Sequence, residues 1–249
     1  MIARVLLICL SAFLVGGVGL YGASRKEESA VQRIRLTKFV VYFCIVNLFL
    51  LCALAGPWAL GGLVTVIVAL GAREIYAVLF RASGRRPPLA IAMGAIYVLI
   101  AAFSVLFVWS SLPIVTVFVY LIVCAFDGFS QVAGQLFGKH HFAPKISPGK
   151  TIEGSVGGLL FAIVMAMLLR PVVAWSLQRT LLACCFIVLT ALAGDLLASI
   201  LKRKSGVKDF SNLLPGHGGI LDRFDSFLLA TAACLIAGIV SRGFAPLFR

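Results

Sequence analysis

Acidic residues are scarce in this sequence, and most of them lie in two short segments. The 249 residues include 9 aspartates and glutamates against 22 lysines and arginines, a net charge of +13. The segments 127–154 and 195–226 hold Asp127, Glu153, Asp195, Asp209, Asp222 and Asp225, whereas Glu27, Glu28 and Glu74 fall in predicted basic loops. A carboxylate near hydrocarbon is costly unless it pairs or binds a cation. This clustering beside basic residues therefore indicates a site.

The second segment places several reactive groups on one helical face. Asp195 and Ser199 are four residues apart, and Lys202 and Arg203 follow Ser199 at three and four residues. Residues at these spacings are neighbours on a helix surface. One face is thus predicted to carry an acid, a hydroxyl and two cations.

The acids of this segment predict a Mg²⁺ site. Asp222 and Asp225 are three residues apart on a second helix, and Asp195 supplies a third carboxylate. Mg²⁺ prefers oxygen ligands and usually shares them with substrate phosphates. The glycines of the turn 215–219 allow backbone N–H groups to approach an anion. Further phosphate oxygens would be neutralised by the basic residues, namely Lys202, Arg203, Lys208 and Arg223.

This set of groups suits phosphoryl or nucleotidyl transfer, in which positioning and charge neutralisation do most of the catalysis. The sequence has no Ser-His-Asp order, zinc motif or Walker A loop that would indicate another chemistry. A cytoplasmic loop with helix caps and surface ion pairs is the alternative interpretation. The length of the pattern favours a site, with a predicted catalytic set of Asp195, Asp222, Asp225, Lys202 and Arg203.

The pattern S-x-x-K-R-x4-K-D-x8-G-G-x2-D-R-x-D resembles the signature of the CTP-dependent phosphatidate cytidylyltransferases, the CDP-diacylglycerol synthases. The resemblance implies Mg²⁺ as the metal, CTP and phosphatidate as substrates, a homodimer, and a phosphate or base contact for His217. The matching positions are Ser199, Lys202, Arg203, Lys208, Asp209, Pro215, His217, Gly218, Gly219, Asp222, Arg223 and Asp225.

A second stretch, Phe137–Gly154, is similar to the "FG…APxISPxKTxEG" block of the same family. Its amines and hydroxyls are good triphosphate ligands, namely Lys145, Ser147, Lys150 and Thr151. Glu153 either joins the metal shell, orients Lys150, or forms a capping box with Thr151. Asp127 precedes the block and is predicted to bind substrate, whereas His140 and His141 are predicted to be loop or interface residues.

The chain departs from the family pattern just after Asp127. Gln131 stands where the family has an aromatic residue, and Gln135 stands where it has an arginine. The missing cation removes one charge-assisted contact. A lipid other than phosphatidate is therefore an open alternative for the preferred substrate. The resemblance covers residues 124–226, and residues 1–110 carry no motif.

The elements that position these residues are transmembrane helices. Hydrophobic residues make up 61% of the chain and charged residues 12%, with a mean hydropathy of +1.08. These values exclude a water-soluble globule and predict an all-α polytopic membrane protein, a single membrane domain over residues 1–249. Proline and glycine separate the apolar runs, and Pro171 is predicted to end the sixth helix. The predicted helices are Ile2–Gly22, Phe39–Ala55, Trp58–Ala72, Leu89–Trp109, Pro113–Phe126, Ser155–Leu169, Thr180–Gly194 and Phe227–Val240.

The basic residues test this arrangement. With the N-terminus outside and alternating helices, most lysines and arginines fall in inner loops, which is the positive-inside pattern. The net charge is thereby explained by topology and by anionic substrates rather than by nucleic acid. The predicted location is a bacterial inner membrane, with the site facing the cytoplasm.

The predicted reaction condenses CTP with a lipid phosphomonoester, releasing pyrophosphate. A related alternative is a CTP-dependent polyprenol kinase, which would release CDP instead. A third is an ion-coupled transporter with acids at helix midpoints. The transporter is disfavoured because nearly all acids are placed in loops or at helix ends, with Asp195 closing the seventh helix.

Overall fold

The chain folds into helices joined by short connections. In a computed structural model, the described residues are 2–24, 29–83, 87–214 and 218–242. Apart from two isolated β-bridges, the regular structure of these ranges is helical. The eight helices are α1 (Ile2–Ser24), α2 (Ser29–Ala55), α3 (Pro57–Ser83), α4 (Pro87–Ser110), α5 (Pro113–Phe137), α6 (Ile152–Val173), α7 (Leu177–Lys204) and α8 (Leu221–Arg242).

The all-α polytopic prediction is confirmed, but several helices are longer than their apolar runs. α3 ends at Ser83 rather than Ala72, α5 at Phe137 rather than Phe126, and α7 at Lys204 rather than Gly194. Hydropathy reports only the part of a helix that lies in hydrocarbon, whereas its hydrogen bonding continues through polar residues. Asp127 and Asp195 therefore lie inside helices, not at their ends.

The prediction that Pro171 ends the sixth helix is wrong. α6 continues through Pro171 to Val173, and Ala174 then takes a left-handed conformation with φ 56°. The Ala174 N–H donates to the Arg170 carbonyl at 2.9 Å. A proline so near a C-terminus removes few helical hydrogen bonds, so the helix ends at this cap instead.

The helices have the length and surface of membrane spans. Seven of the helices in the described residues are long and apolar enough to cross a membrane, and α1 contains a shorter apolar stretch, Leu7–Gly19. Large apolar side chains face outward, such as Trp58 at 80% and Ile91 at 74% exposure. In water such a surface would aggregate, whereas in lipid it is solvated. The chain is an integral membrane protein.

The chain forms two compact units. Unit 1 contains Met1–Leu54 and Val117–Val188, and unit 2 contains Ala55–Thr116 and Leu189–Arg249. In unit 1, α1 contacts α6; in unit 2, α4 packs against α3 and α8, and α3 also contacts α8. The prediction of a single membrane domain stays a prediction.

Glycines bring α5 and α6 of unit 1 into close contact. A Cβ on Gly154 would lie 2.7 Å from the Ser130 carbonyl oxygen, and one on Gly158 would lie 2.6 Å from the Phe126 carbonyl oxygen. Backbones can approach this closely only where no side chain intervenes. The contact fixes the two helices that flank the loop 138–151.

Candidate active site

The last turns of α7 present the predicted face of acid, hydroxyl and cation. Ser199 Oγ donates to Asp195 Oδ1 at 3.4 Å, as their four-residue spacing predicts. Ser199 and Lys202 are 8% and 9% exposed, whereas Arg203 is exposed. The ammonium of Lys202 is therefore withdrawn from solvent and needs a partner inside unit 2.

That partner is Asp222, in the first turn of α8. Lys202 Nζ lies 2.6 Å from Asp222 Oδ1, and the Asp222 side chain is 1% exposed. Asp222 Oδ2 accepts the backbone N–H groups of Phe210 at 2.9 Å and Gly219 at 2.8 Å. The Asp222 carboxylate thus joins the end of α7, the start of α8 and the loop between them.

These contacts change the role expected of Asp222. Both of its oxygens accept hydrogen bonds from protein groups, which suits a structural anchor better than a metal ligand. The Gly219 N–H, predicted to contact phosphate, donates to Asp222 instead. Among the described residues, no group of three or more His, Cys, Asp or Glu side chains is arranged to hold a metal ion.

Two of the three predicted metal carboxylates lie near the contact between α7 and α8. A Cβ on Gly194 would lie 2.9 Å from the Asp225 carbonyl oxygen and 3.1 Å from the Ser226 Cα. The helices therefore meet where Asp195 follows Gly194, close to Asp225. Two carboxylates plus substrate phosphates are a common way for proteins to hold Mg²⁺. Asp225 Oδ1 also accepts the Ser226 N–H at 2.7 Å, and Asp195 Oδ1 accepts the Ser199 hydroxyl. The magnesium site stays a prediction.

The other motif residues of unit 2 lie around this contact. The exposed side chains are Arg203, Lys208, Asp209 and Arg223. Gly218 has a φ of 80°, and its carbonyl accepts the Leu214 N–H at 2.8 Å. His217 lies outside the described residues, so its predicted contact stays a prediction.

One carboxylate of this region was missed by the sequence analysis. Glu74 was placed in a basic loop, but it lies inside α3 and is 5% exposed. It accepts the Ser211 hydroxyl at 2.6 Å and the backbone N–H groups of Ile220 at 2.9 Å and Leu221 at 2.8 Å. An acid within a long apolar helix is itself a signal, because its burial demands partners.

In unit 1, the side chains of Thr151 and Glu153 both accept backbone hydrogen bonds at the start of α6. Thr151 is the N-cap, and its hydroxyl accepts the Gly154 N–H at 3.1 Å. Glu153 Oε2 accepts the N–H groups of Lys139 at 3.0 Å and His140 at 3.1 Å, and its Oε1 lies 2.5 Å from His140 Nδ1. Of the open alternatives, these contacts favour a structural role, although Glu153 binds the preceding loop instead of closing a capping box.

The predicted phosphate ligands of unit 1 lie in a compact turn. The Ser147 N–H donates to the Ala143 carbonyl at 2.8 Å, and the Lys150 N–H donates to the Ser147 carbonyl at 3.2 Å. Lys145 is exposed, while Ser147 and Lys150 are half-buried. Asp127 is half-buried inside α5, so it is not part of this turn.

Sequence comparison identifies the family. A sequence model described as the cytidylyltransferase family matches residues 89–240, which include both motif segments. The chain belongs to the cytidylyltransferase family. The family match covers α7, α8 as far as residue 240, and the loops of both predicted phosphate-binding segments.

Similar proteins carry a more specific name. A phosphatidate cytidylyltransferase of Staphylococcus saprophyticus is 44% identical over 113 residues, and one of Staphylococcus epidermidis is 47% identical over 113 residues. One of Haemophilus influenzae is 43% identical over 119 residues. Each alignment covers 45% of this chain and 41–44% of the relative. The chain thus aligns with less than half the length of these relatives.

Proposed function

We propose that this chain is a membrane cytidylyltransferase that condenses CTP with a lipid phosphomonoester, phosphatidate first among them, to give a CDP-lipid and pyrophosphate. The observation that carries the proposal is the contact of α7 with α8. That contact gathers the motif acids and cations in one part of a family member whose relatives are named phosphatidate cytidylyltransferases.

In the proposed reaction, a lipid phosphate oxygen attacks the α-phosphorus of CTP in line. The new P–O bond forms as the bond from the α-phosphorus to the α,β-bridging oxygen breaks, and that electron pair leaves with pyrophosphate. The attacking phosphate is already anionic, so no strong general base is required. The main obstacle is repulsion between two polyanions.

The chain's own residues address that repulsion. The exposed cations Arg203, Lys208 and Arg223 would bind phosphate oxygens beside the α7–α8 contact. Lys202 is held by Asp222 and so fixes the end of α7 relative to the start of α8. In unit 1, Lys145 and Lys150 are proposed to bind phosphate with the Ser147 hydroxyl, whereas Thr151 is 4% exposed and its hydroxyl serves as the N-cap of α6.

A Mg²⁺ ion fits this proposal through two residues rather than three. Asp195 and Asp225 would hold it, and when bound it would neutralise charge on the nucleotide phosphates. Asp222 is assigned to the structural role that its hydrogen bonds describe. The homodimer, the bacterial inner membrane and a cytoplasmic orientation remain part of the proposal. The orientation rests on the predicted alternating topology, which puts most basic residues on one side of the membrane.

The proposal is tested with purified protein, α-phosphate-labelled CTP, Mg²⁺ and a panel of lipid phosphates. We expect labelled CDP-lipid and pyrophosphate, with the preferred lipid identified by mass. Labelled CDP together with a newly phosphorylated lipid would instead identify a kinase. Absence of labelled product with every lipid would reject the proposed reaction.

Asp225→Asn separates chemistry from folding in the same assay. We expect product formation to fall by about 100-fold or more, while the thermal unfolding midpoint stays close to that of the wild type. Asp209→Asn is the control, because it makes the same chemical change at an exposed motif aspartate outside the predicted metal site. Near-normal turnover of Asp225→Asn over a titration of Mg²⁺ would remove Asp225 from the metal site.

A further inference from the structure

Glu74 lies in α3, outside the motif region. Its carboxylate accepts three hydrogen bonds from the place where the loop after α7 meets α8. Its Oε1 accepts the Ser211 hydroxyl and the Ile220 N–H, and its Oε2 accepts the Leu221 N–H. All of these residues belong to unit 2. The first N–H groups of a helix have no partner within the helix and need one elsewhere. Glu74 therefore caps α8 from α3.

The cap lies next to the anchor made by Asp222. Asp222 accepts the Gly219 N–H, and Glu74 accepts the next two N–H groups along the chain, those of Ile220 and Leu221. Two carboxylates thus bind three consecutive backbone donors at the start of α8. The positive end of the helix dipole favours negative charge at this position.

Gly219 has no side chain at the position where the Glu74 carboxylate lies. A Cβ at Gly219 would lie 2.5 Å from Glu74 Oε2 and 2.6 Å from Glu74 Oε1, closer than real Cβ atoms approach. Its φ is not in the left-handed region, unlike that of Gly218. For an alanine at Gly219, the three nearest atoms to its Cβ would therefore all belong to the Glu74 carboxyl group.

We infer that Glu74 is a positioning residue for the proposed reaction, and that Gly219 is a glycine so that Glu74 can reach α8. Together they fix the start of α8 relative to α3, with Arg223 in the first turn and Asp225 directly after that turn. The inference rests on the proposed function only for its effect on turnover. Its structural part, the cap on α8, is tested separately by hydrogen exchange of the Ile220 and Leu221 amides.

The first test compares Glu74→Ala and Glu74→Gln with Arg73→Gln, a matched change of the exposed neighbour in α3. An error of about 1 Å in a reacting group costs on the order of 100-fold in rate. We therefore expect kcat to fall by about that factor in Glu74→Ala, with a smaller change in KM for CTP. Glu74→Gln keeps the length and one acceptor, so it should restore part of kcat.

The second test is a double-variant cycle between the glycine and the glutamate. Gly219→Ala should lower kcat strongly in the wild-type chain and only slightly in a Glu74→Ala background. Gly218→Ala should be harmful in both backgrounds, because its positive φ disfavours alanine whatever Glu74 does. Additive effects of Gly219→Ala and Glu74→Ala would overturn the inference.

Hydrogen exchange separates this inference from the proposed activity. In Glu74→Ala, the peptide covering residues 218–222 should exchange faster than in wild type, even if no CDP-lipid is ever detected. Unchanged exchange in that peptide would reject the cap. If kcat per folded molecule is normal while exchange is faster, Glu74 is a cap without a positioning role, which also overturns the inference.

Discussion

The ammonium of Lys202 and the carboxylate of Asp222 form a buried ion pair of 2.6 Å between the end of α7 and the start of α8. The two side chains are 11% and 1% exposed, so neither charge is well solvated. Lys202 also lies over the Phe210 ring, with Nζ 5.2 Å from its centroid. Two charged residues of the motif thus hold the end of α7 against the start of α8.

Breaking this pair is expected to destabilise the protein. Lys202→Met leaves a buried carboxylate without its cation, a change that typically costs about 3–5 kcal/mol. Asp222→Asn leaves the buried ammonium unpaired and should also lower the unfolding midpoint. Thermal unfolding in detergent measures both effects.

The double variant Lys202→Met/Asp222→Asn should be more stable than the sum of the single changes predicts. Its asparagine oxygen can still accept a backbone N–H, and no unpaired charge remains. We expect a coupling of about 0.5–3 kcal/mol. Strict additivity would mean that the two side chains do not depend on each other.

Glu153 is expected to fix the loop that precedes α6. Glu153→Ala removes the acceptor of the Lys139 and His140 N–H groups, so the loop should be cleaved faster by trypsin at Lys139 and Lys145. Glu153→Gln retains one acceptor and should show an intermediate rate. Equal cleavage of all three proteins would contradict the anchoring role.

The contact of α5 with α6 predicts opposite outcomes at two helical glycines. Gly158→Ala should lower the unfolding midpoint, because its Cβ would meet the Phe126 carbonyl oxygen at 2.6 Å. Gly128→Ala meets nothing within 4 Å and should gain up to about 1 kcal/mol of helix propensity. Thermal unfolding of the two variants provides the comparison, and a stabilising Gly158→Ala would refute the close contact.

Arg223 is expected to bind substrate phosphate. Arg223→Gln should raise KM for CTP by about tenfold through loss of a charge-assisted hydrogen bond, with little effect on unfolding. Lys204→Gln is the matched control, since Lys204 is also exposed near the end of α7 and lies outside the motif. Initial rates over a CTP titration give KM for both variants. Equal KM values of Arg223→Gln and Lys204→Gln would contradict the binding role of Arg223.

The sequence predicted the helical class and the two motif segments, because hydropathy and spacing are local properties. The pairing of Asp195 with Ser199 followed in the same way from helical periodicity. The contacts of Asp222 and Glu74 did not, because they join residues far apart in the chain. Spacing shows that a carboxylate is present, whereas only the packing of α3, α7 and α8 shows which donors its oxygens accept.

The length of α7 has a consequence for how a lipid reaches the proposed site. Its 28 residues span about 42 Å at 1.5 Å per residue, more than the ~30 Å of a hydrocarbon core. The helix is thus about 12 Å longer than the hydrocarbon core is thick, and Lys202 lies about 10 Å along its axis from Asp195. In the proposed reaction the lipid headgroup stays at the membrane interface. The depth of that interface along α7 therefore determines which residues of the helix the headgroup can contact. The thickness of the surrounding bilayer then becomes a determinant of substrate access.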